Sequence, residues 1–250
     1  MRLTRIHIPS PEGASTPAPL AAGREVELPA AAGEHVARVL RLRVGAAVVL
    51  FDGHGGEWAA EITSIARNRV RALCRNHNPV ERESPVAITL LQSLARGEKM
   101  DWIIQKATEL GVHDIIPVSS ERSVVHMDEQ RESKRLAHWQ AIAASACEQC
   151  GRNRLPELSP PMALPNALEL QLPNMRLTLS PAAVVRLRDV VNTPQAIALL
   201  VGPEGGLTEQ ECAHSEARGF RAVRFGPRIL RTETAAVAAI AALQLLTGDL

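Results

Sequence analysis

The sequence predicts an α/β fold: a parallel-sheet domain over residues 86–250, preceded by a small β-rich module over 1–78 and a linker at 79–85. Three observations carry this. Between Arg24 and about Asn76, short strand-like runs are broken by turn signals. From Val86 onward, apolar runs of strand length alternate with segments of helical period, the pattern of a parallel sheet covered on both faces. Two glycine-proline loops follow two of the late strands, where open parallel sheets bind their ligands.

The first module contains the runs "REVEL", "AAVVLFDG", "EWAAEITSI" and "NRVRALCRN", with the turn "DGHGGE" and one helical piece, "EHVARVLRL". "NPVERESP" is polar and proline-flanked, hence a linker. "VAITLLQSL" then reads as a buried strand. In "KMDWIIQKATELGV", Met100, Ile103, Ile104, Ala107 and Leu110 recur at helical spacing and Gly111 is a natural stop. "HDIIPV" is a strand and "ESKRLAHWQAIAASACEQC" a long helix. "MRLTLS" and "AIALLVG" are further strands, "TEQECAHSEARGF" a helix, "RAVRF" a strand, and "TETAAVAAIAALQLL" an almost wholly apolar closing helix.

Composition narrows the class. The chain has 250 residues and 46% apolar content, enough for a packed core. It has no eighteen-residue apolar run and no signal-peptide core in "MRLTRIHIPSPEG", so a cytoplasmic protein without membrane contact is expected. Cys74, Cys147, Cys150 and Cys212 are too few for a disulfide framework, and "CEQC" lacks the second ligand pair of a zinc site, so no metal is expected. Of 28 basic residues 25 are arginine, whose planar fork suits phosphates and bases, although a GC-rich genome produces the same excess. Residues 1–80 hold ten Arg against seven acids, a net of +3, which makes the first module the better candidate for a polyanion. In "RNRVRALCR", period-2 geometry sets Arg67, Arg69 and Arg71 on one strand face, and Arg38 and Arg41 on the helical piece can join them. A solvated sheet face gives the same pattern.

The loop in "LLVGPEGGLTEQE" raises a chemical question. Strand, glycine turn and helix usually mean a bound nucleotide. Here Thr208 and Glu211 form a capping-box pattern that fills the helix's free amides, Pro203 has no N–H to offer, and Glu204 repels a phosphate. A phosphate-free, cationic adenosyl ligand, S-adenosylmethionine, fits these features: glycines allow close backbone approach and a carboxylate accepts from ribose hydroxyls. A plain tight turn uses glycine for the same steric reason. If the strands "AIALLV" and "AVRF" are neighbours, the second loop, "GPRILRTETA", faces the first across one crevice.

"LLVGPEGGLTEQE" followed by "FGPRILRTETAAVAAI" resembles the signature of the RsmE family of 16S rRNA (uracil-N3)-methyltransferases. "RGEKMDWIIQKATELGVHDIIPVSSERSVV" and "EQCGRNRLPEL" resemble its other blocks, and "EHVARVLRLRVGAAVVLFDGHGGEW" its PUA-like RNA-binding domain. The resemblance covers nearly the whole chain. It implies a SPOUT-class methyltransferase domain with a C-terminal trefoil knot, which the general rule against knots argues away from. It further implies bound S-adenosylmethionine, a homodimer, and 16S rRNA within the assembled small subunit as partner. By position it implies a cofactor site of Ser180, Pro181, Gly202, Pro203, Glu204, Gly205, Gly206, Gly226, Ile229, Leu230, Arg231, Thr232 and Glu233. Arg2, Arg5, Arg122 and Arg152 are RNA contacts on this reading, beside Arg38, Arg41, Arg67, Arg69 and Arg71. Lys106, Glu109 and Gln149 match further motif positions without an assigned role, and Cys150 stands where the family commonly has serine.

Methyl transfer from a sulfonium needs the nucleophile in line and close, so positioning supplies much of the rate. Uracil N3 must lose its proton. Arg231 is the candidate for stabilising the developing anion, and Glu204 or Glu233 for the base, either of which serves equally as a ribose or backbone ligand. N3 lies on the Watson–Crick edge, so the target must be unpaired or flipped. A noncatalytic RNA-binding module and a phosphate-dependent nucleotide enzyme are the alternatives; Pro203, Glu204 and the missing P-loop lysine weigh against the second.

Overall fold

The computed structural model describes residues 3–9, 20–66, 69–123, 129–191, 193, 195–247 and 250. The chain divides into two compact units, one formed by residues up to Glu83 with Cys147–Leu155, the other by Ser84–Ala146 and Pro156–Leu250.

The first unit is a five-stranded sheet in the order β1-β3-β4-β5-β2. Its strands are β1 (Thr4–His7), β2 (Glu25–Glu27), β3 (Ala47–Phe51), β4 (Glu57–Ala66) and β5 (Arg69–Asn78). β1 pairs parallel with β3, and the other pairings are antiparallel. Alternation decides what is buried. In β5, Val70, Ala72 and Cys74 point into a core shared with Ile6, Val36, Val48, Leu50 and Ile62, while Arg69, Arg71 and Arg75 point out. Two expectations are corrected. β1 lies before the first strand read from the sequence, because four residues beside a proline-rich stretch leave no measurable period. The helical piece starts earlier and ends earlier than "EHVARVLRL": α1 (Ala30–Glu34) runs into a π-helical turn at His35–Val39, and Arg41, at φ 52°, breaks it.

The second unit is a parallel sheet in the order β12-β10-β11-β6-β7-β8, with β9 also on β7. These strands are β6 (Ile88–Ser93), β7 (Asp114–Ser119), β8 (Glu157–Leu158), β9 (Met162–Ala163), β10 (Met175–Leu179), β11 (Ile197–Val201) and β12 (Phe220–Val223). Every residue of β6 and β11 is buried, as a sheet covered on both faces requires. On one face Leu90 and Leu199 meet Ile103, Ile104 and Ala107 of α2 (Lys99–Glu109) and Ala236, Ile240 and Leu243 of α6 (Thr232–Thr247). On the other, Leu91, Ile116 and Leu200 meet Leu164 and Leu168 of α4 (Leu164–Leu168) and Phe220. Burying an aliphatic side chain of this size stabilises by about 1.5–3 kcal/mol. Helix α2 ends where expected: Gly111 at φ 80° allows Gly111 N–H to donate to Thr108 and Val112 N–H to Ala107, a Schellman closure. Helices α3 (Glu129–Cys150) and α5 (Glu209–Ala217) complete the set, and among the described residues no helix is long and apolar enough to cross a membrane.

Candidate active site

A cavity of about 600 Å³ opens at the carboxyl ends of β10, β11 and β12. Ser180 and Pro181 after β10, Gly202, Pro203, Glu204, Gly205 and Gly206 after β11, and Gly226, Ile229, Leu230, Arg231 and Thr232 after β12 all line it. Thirteen residues are expected there from the sequence; Glu233 alone does not border the hollow. One geometric expectation is corrected. β11 and β12 are not neighbours, because β10 lies between them, so the two glycine-proline loops flank the Ser180–Pro181 turn instead of meeting across a shared strand edge.

Hydrogen bonds join the walls. The Thr232 hydroxyl donates to the Gly202 carbonyl at 2.7 Å and accepts from Nε2 of buried Gln92 at 3.1 Å. The capping box at α5 is present: Glu211 N–H donates to the Thr208 hydroxyl at 3.2 Å and Thr208 N–H to Glu211 at 2.8 Å. The same Glu211 carboxylate accepts from Glu121 N–H at 2.8 Å, and Arg122 donates to the Gly205 carbonyl at 2.9 Å. The segment after β7 is thus tied to the glycine loop. A Cβ on Gly205 would stand 3.3 Å from Cβ of Arg122, and Gly206 takes φ 70°, so both glycines are dictated locally.

Lys99, the first residue of α2, donates to Glu204 at 2.8 Å and lies 3.5 Å from Glu233. A cation in the first turn opposes the helix dipole, so its location is explained by the two carboxylates and not by the helix. Burial pushes the Glu204 carboxyl up, but the hydrogen bond from Lys99 and those from the Glu204 and Arg96 backbone outweigh it and hold it below the usual carboxylate range. The hydrogen bond to Glu204 in turn raises the Lys99 ammonium. Sequence reading missed Lys99, and with it Thr178, Leu207, Cys212, Phe225 and Arg228, all of which border the cavity. A lysine at the start of a helix was the one available signal for Lys99.

The lining fits an adenosyl ligand. The volume is that of a small-molecule site, and the glycine backbone can approach a flat base. Glu204 can accept from hydroxyls, and the buried Thr178 hydroxyl has no hydrogen-bond partner among the described residues. Polyphosphate is disfavoured, because the α5 amides are engaged by the capping box.

The arginines expected at RNA divide sharply. Arg5 has a buried side chain that is ion-paired with Glu57, donates to Asn153 at 2.6 Å and stacks over Phe51. Arg152 is 4% exposed and donates to Glu83 at 2.6 Å. Both guanidiniums are consumed by the first unit's interior. Arg69 and Arg71 do share an exposed face, but Arg69 lies 3.7 Å from Glu27, Arg71 3.3 Å from Glu25, and Arg75 2.9 Å from Glu61, so acids interleave the basic row. Arg38 is exposed and pairs with Glu34; Arg41 is exposed. Arg2 and Arg67 lie outside the described residues. Lys106 and Glu109 pair with each other at 2.8 Å. Cys147 and Cys150 are not joined in a disulfide, and a hydrogen bond to Cys150 with burial pushes the Cys147 thiol up, away from reactivity.

Comparison with known proteins follows the same division. A family model described as an RNA methyltransferase domain matches residues 82–244, and one described as an RNA methyltransferase PUA domain matches residues 28–73. The ribosomal RNA small subunit methyltransferase E of Buchnera aphidicola is 34% identical over 86% of this chain and 88% of its own, and that of Bacillus subtilis 32% identical over 86% and 89%. Among solved structures, ribosomal RNA small subunit methyltransferase E from Neisseria gonorrhoeae bound to S-adenosyl methionine matches at TM-score 0.88 and 42% identity over 99% of both chains. A Legionella pneumophila protein solved with bound SAM matches at 0.93 and 38% over 100% of both. The chain belongs to the RNA methyltransferase family, in the group named ribosomal RNA small subunit methyltransferase E, with a PUA domain ahead of its methyltransferase domain.

Proposed function

We propose that this protein transfers the methyl group of S-adenosylmethionine to N3 of a uridine in 16S rRNA of the small ribosomal subunit. The observation that carries the reading is the convergence of three strand ends, each with its own short loop, on one cavity that suits an adenosyl ligand and repels polyphosphate. When bound, the cofactor supplies an electrophilic methyl on a sulfonium. The loops after β10, β11 and β12 hold it. Arg231, exposed on the lining, stabilises the negative charge that develops on the uracil as N3 is deprotonated. Proton removal is assigned to Glu204 or Glu233, the two carboxylates that Lys99 bridges.

RNA docking is assigned to the N-terminal PUA-like domain, residues 1–78, with 79–85 as the linker to the catalytic domain at 86–250. Arg38 stands on its helical piece and Arg41 just past its end, both exposed. The acid-interleaved Arg69 and Arg71 contribute less. The reading includes a homodimer, a C-terminal trefoil knot, a cytoplasmic location and the assembled small subunit as substrate. A dimer is supported by the apolar exposure of the second unit: Leu245 is 66% and Val184 88% exposed, and Leu187, Phe225, Ala242 and Leu246 line a further hollow. Calorimetry with S-adenosylmethionine and with ATP tests the cofactor: binding of the first and not the second is expected, and the reverse refutes the reading. Mass spectrometry of ribosomal RNA from a deletion strain tests the target, where loss of one uridine methyl is expected and unchanged RNA removes the assigned substrate.

A further inference from the structure

Thr178 is the penultimate residue of β10. It is in register with Leu200 of β11, which is in register with Leu91 of β6. Neighbours in register on a parallel sheet point the same way, so Thr178 shares the face on which Leu91 and Leu200 are packed with Leu207. A β-branched side chain suits that position, but a hydroxyl does not. Thr178 is 5% exposed, and its Oγ1 has no hydrogen-bond partner among the described residues. Valine would fill the same space without stranding a polar atom, and a buried orphan hydroxyl costs stability. Ser93 Oγ and Gln92 Oε1 are also without partners, but neither borders the cavity, whereas Thr178 does.

We propose that the Thr178 hydroxyl is a hydrogen-bonding group for the adenosyl part of S-adenosylmethionine. The inference rests on the cofactor reading above and adds to it a side-chain contact among loops that otherwise present mainly backbone. The base and ribose are favoured over the amino-acid end by the surroundings. Leu207 lies on the same side, and an ionised ammonium or carboxylate carried into that apolar corner would lose its hydration without a charged partner. A neutral base edge or ribose hydroxyl has a much smaller hydration to give up.

The test compares wild type with Thr178→Val and Thr178→Ser in the full-length protein. Calorimetry is run with S-adenosylmethionine and with 5′-methylthioadenosine, which lacks the amino-acid end, and thermal denaturation is run without ligand. Thr178→Val is expected to weaken both ligands by the same factor, roughly five- to tenfold, and Thr178→Ser to stay within about twofold. Without ligand, Thr178→Val is expected to melt at or above the wild-type temperature, because it removes an unsatisfied hydroxyl. A purely structural hydroxyl gives the opposite sign, with a lower melting temperature accompanying the lost affinity, and that result overturns the proposal. Equal affinity of Thr178→Val and wild type overturns it, as does a loss confined to S-adenosylmethionine, which would move the contact to the amino-acid end. Should wild type bind neither ligand, the cofactor reading itself fails, and this inference with it.

Discussion

Arginine serves the two units of this protein differently. In the first, Arg5, Arg71, Arg75, Arg152 and Arg154 each face a carboxylate, and two of those guanidiniums are almost wholly buried. In the second, Arg186 and Arg218 also pair with carboxylates, but the guanidiniums of Arg228 and Arg231, both on the cavity lining, have no hydrogen-bond or ion-pair partner among the described residues. A buried charge must be neutralised locally or it destabilises the fold. A charge held over a cavity remains free to meet charge that develops during a reaction. The difference teaches that the number of arginines is a poor guide to where an anionic substrate goes; their pairing is the better one.

Five measurements would break or sharpen this comparison. Arg231→Ala is expected to lower methyl transfer to ribosomal RNA by about 100- to 1,000-fold while cofactor affinity and melting temperature stay at wild type; an unchanged rate would leave the cavity arginine without a role. Glu83→Ala should act on the fold instead, removing the carboxylate from buried Arg152 at a cost of about 3 kcal/mol in urea denaturation. Between these in character, Thr208→Ala opens the capping box of α5 and is expected to cost about 1 kcal/mol, a loss that a helix start already satisfied by other acceptors would not register. The smallest effect belongs to the exposed row: Arg75→Ala should change stability by no more than about 0.5 kcal/mol, and Glu25→Gln with Glu27→Gln should strengthen RNA binding at low salt by roughly threefold if those acids do blunt Arg69 and Arg71.

The Lys99–Glu204 bridge adds a pH dependence of defined sign. The Glu204 carboxyl lies below its ordinary value in the fold, so its contribution is present at neutral pH and fades as the pH falls through that lowered value. The Lys99 ammonium lies above its ordinary value, so its contribution is complete below the unfolded pKa and fades as the pH rises through the folded one. Stability from the bridge is therefore greatest across the neutral range. Lys99→Met should flatten the difference at both ends, as read from melting temperature against pH.

Much of this was legible in the chain. Val86 to Leu94 reads as a buried strand because every position except Gln92 is apolar or small, and Met100, Ile103, Ile104 and Ala107 mark a helix because one face alone meets the sheet. The capping box at Thr208 and Glu211 was visible because it is local, four residues that satisfy one another. β1 and the π-helical turn were not, since one is too short to show a period and the other is set by how the chain leaves a helix. Arg5 and Arg152 look like any other arginine until Glu57 and Glu83, dozens of residues away, are brought beside them.

The sequence by itself determined the units that depend on neighbours along the chain: alternation in β5, the helical stripe of α2, the stop at Gly111, and the glycine and proline content of the cavity loops. Only the tertiary structure decided which strand stands between β11 and β12, which arginines are neutralised, that Lys99 joins Glu204 to Glu233, and that the Thr178 hydroxyl is buried against the cavity without a partner. The reason is physical. Hydrophobic period and capping act over a few residues, whereas charge pairing and desolvation depend on groups that meet only after strands far apart in sequence have been placed side by side.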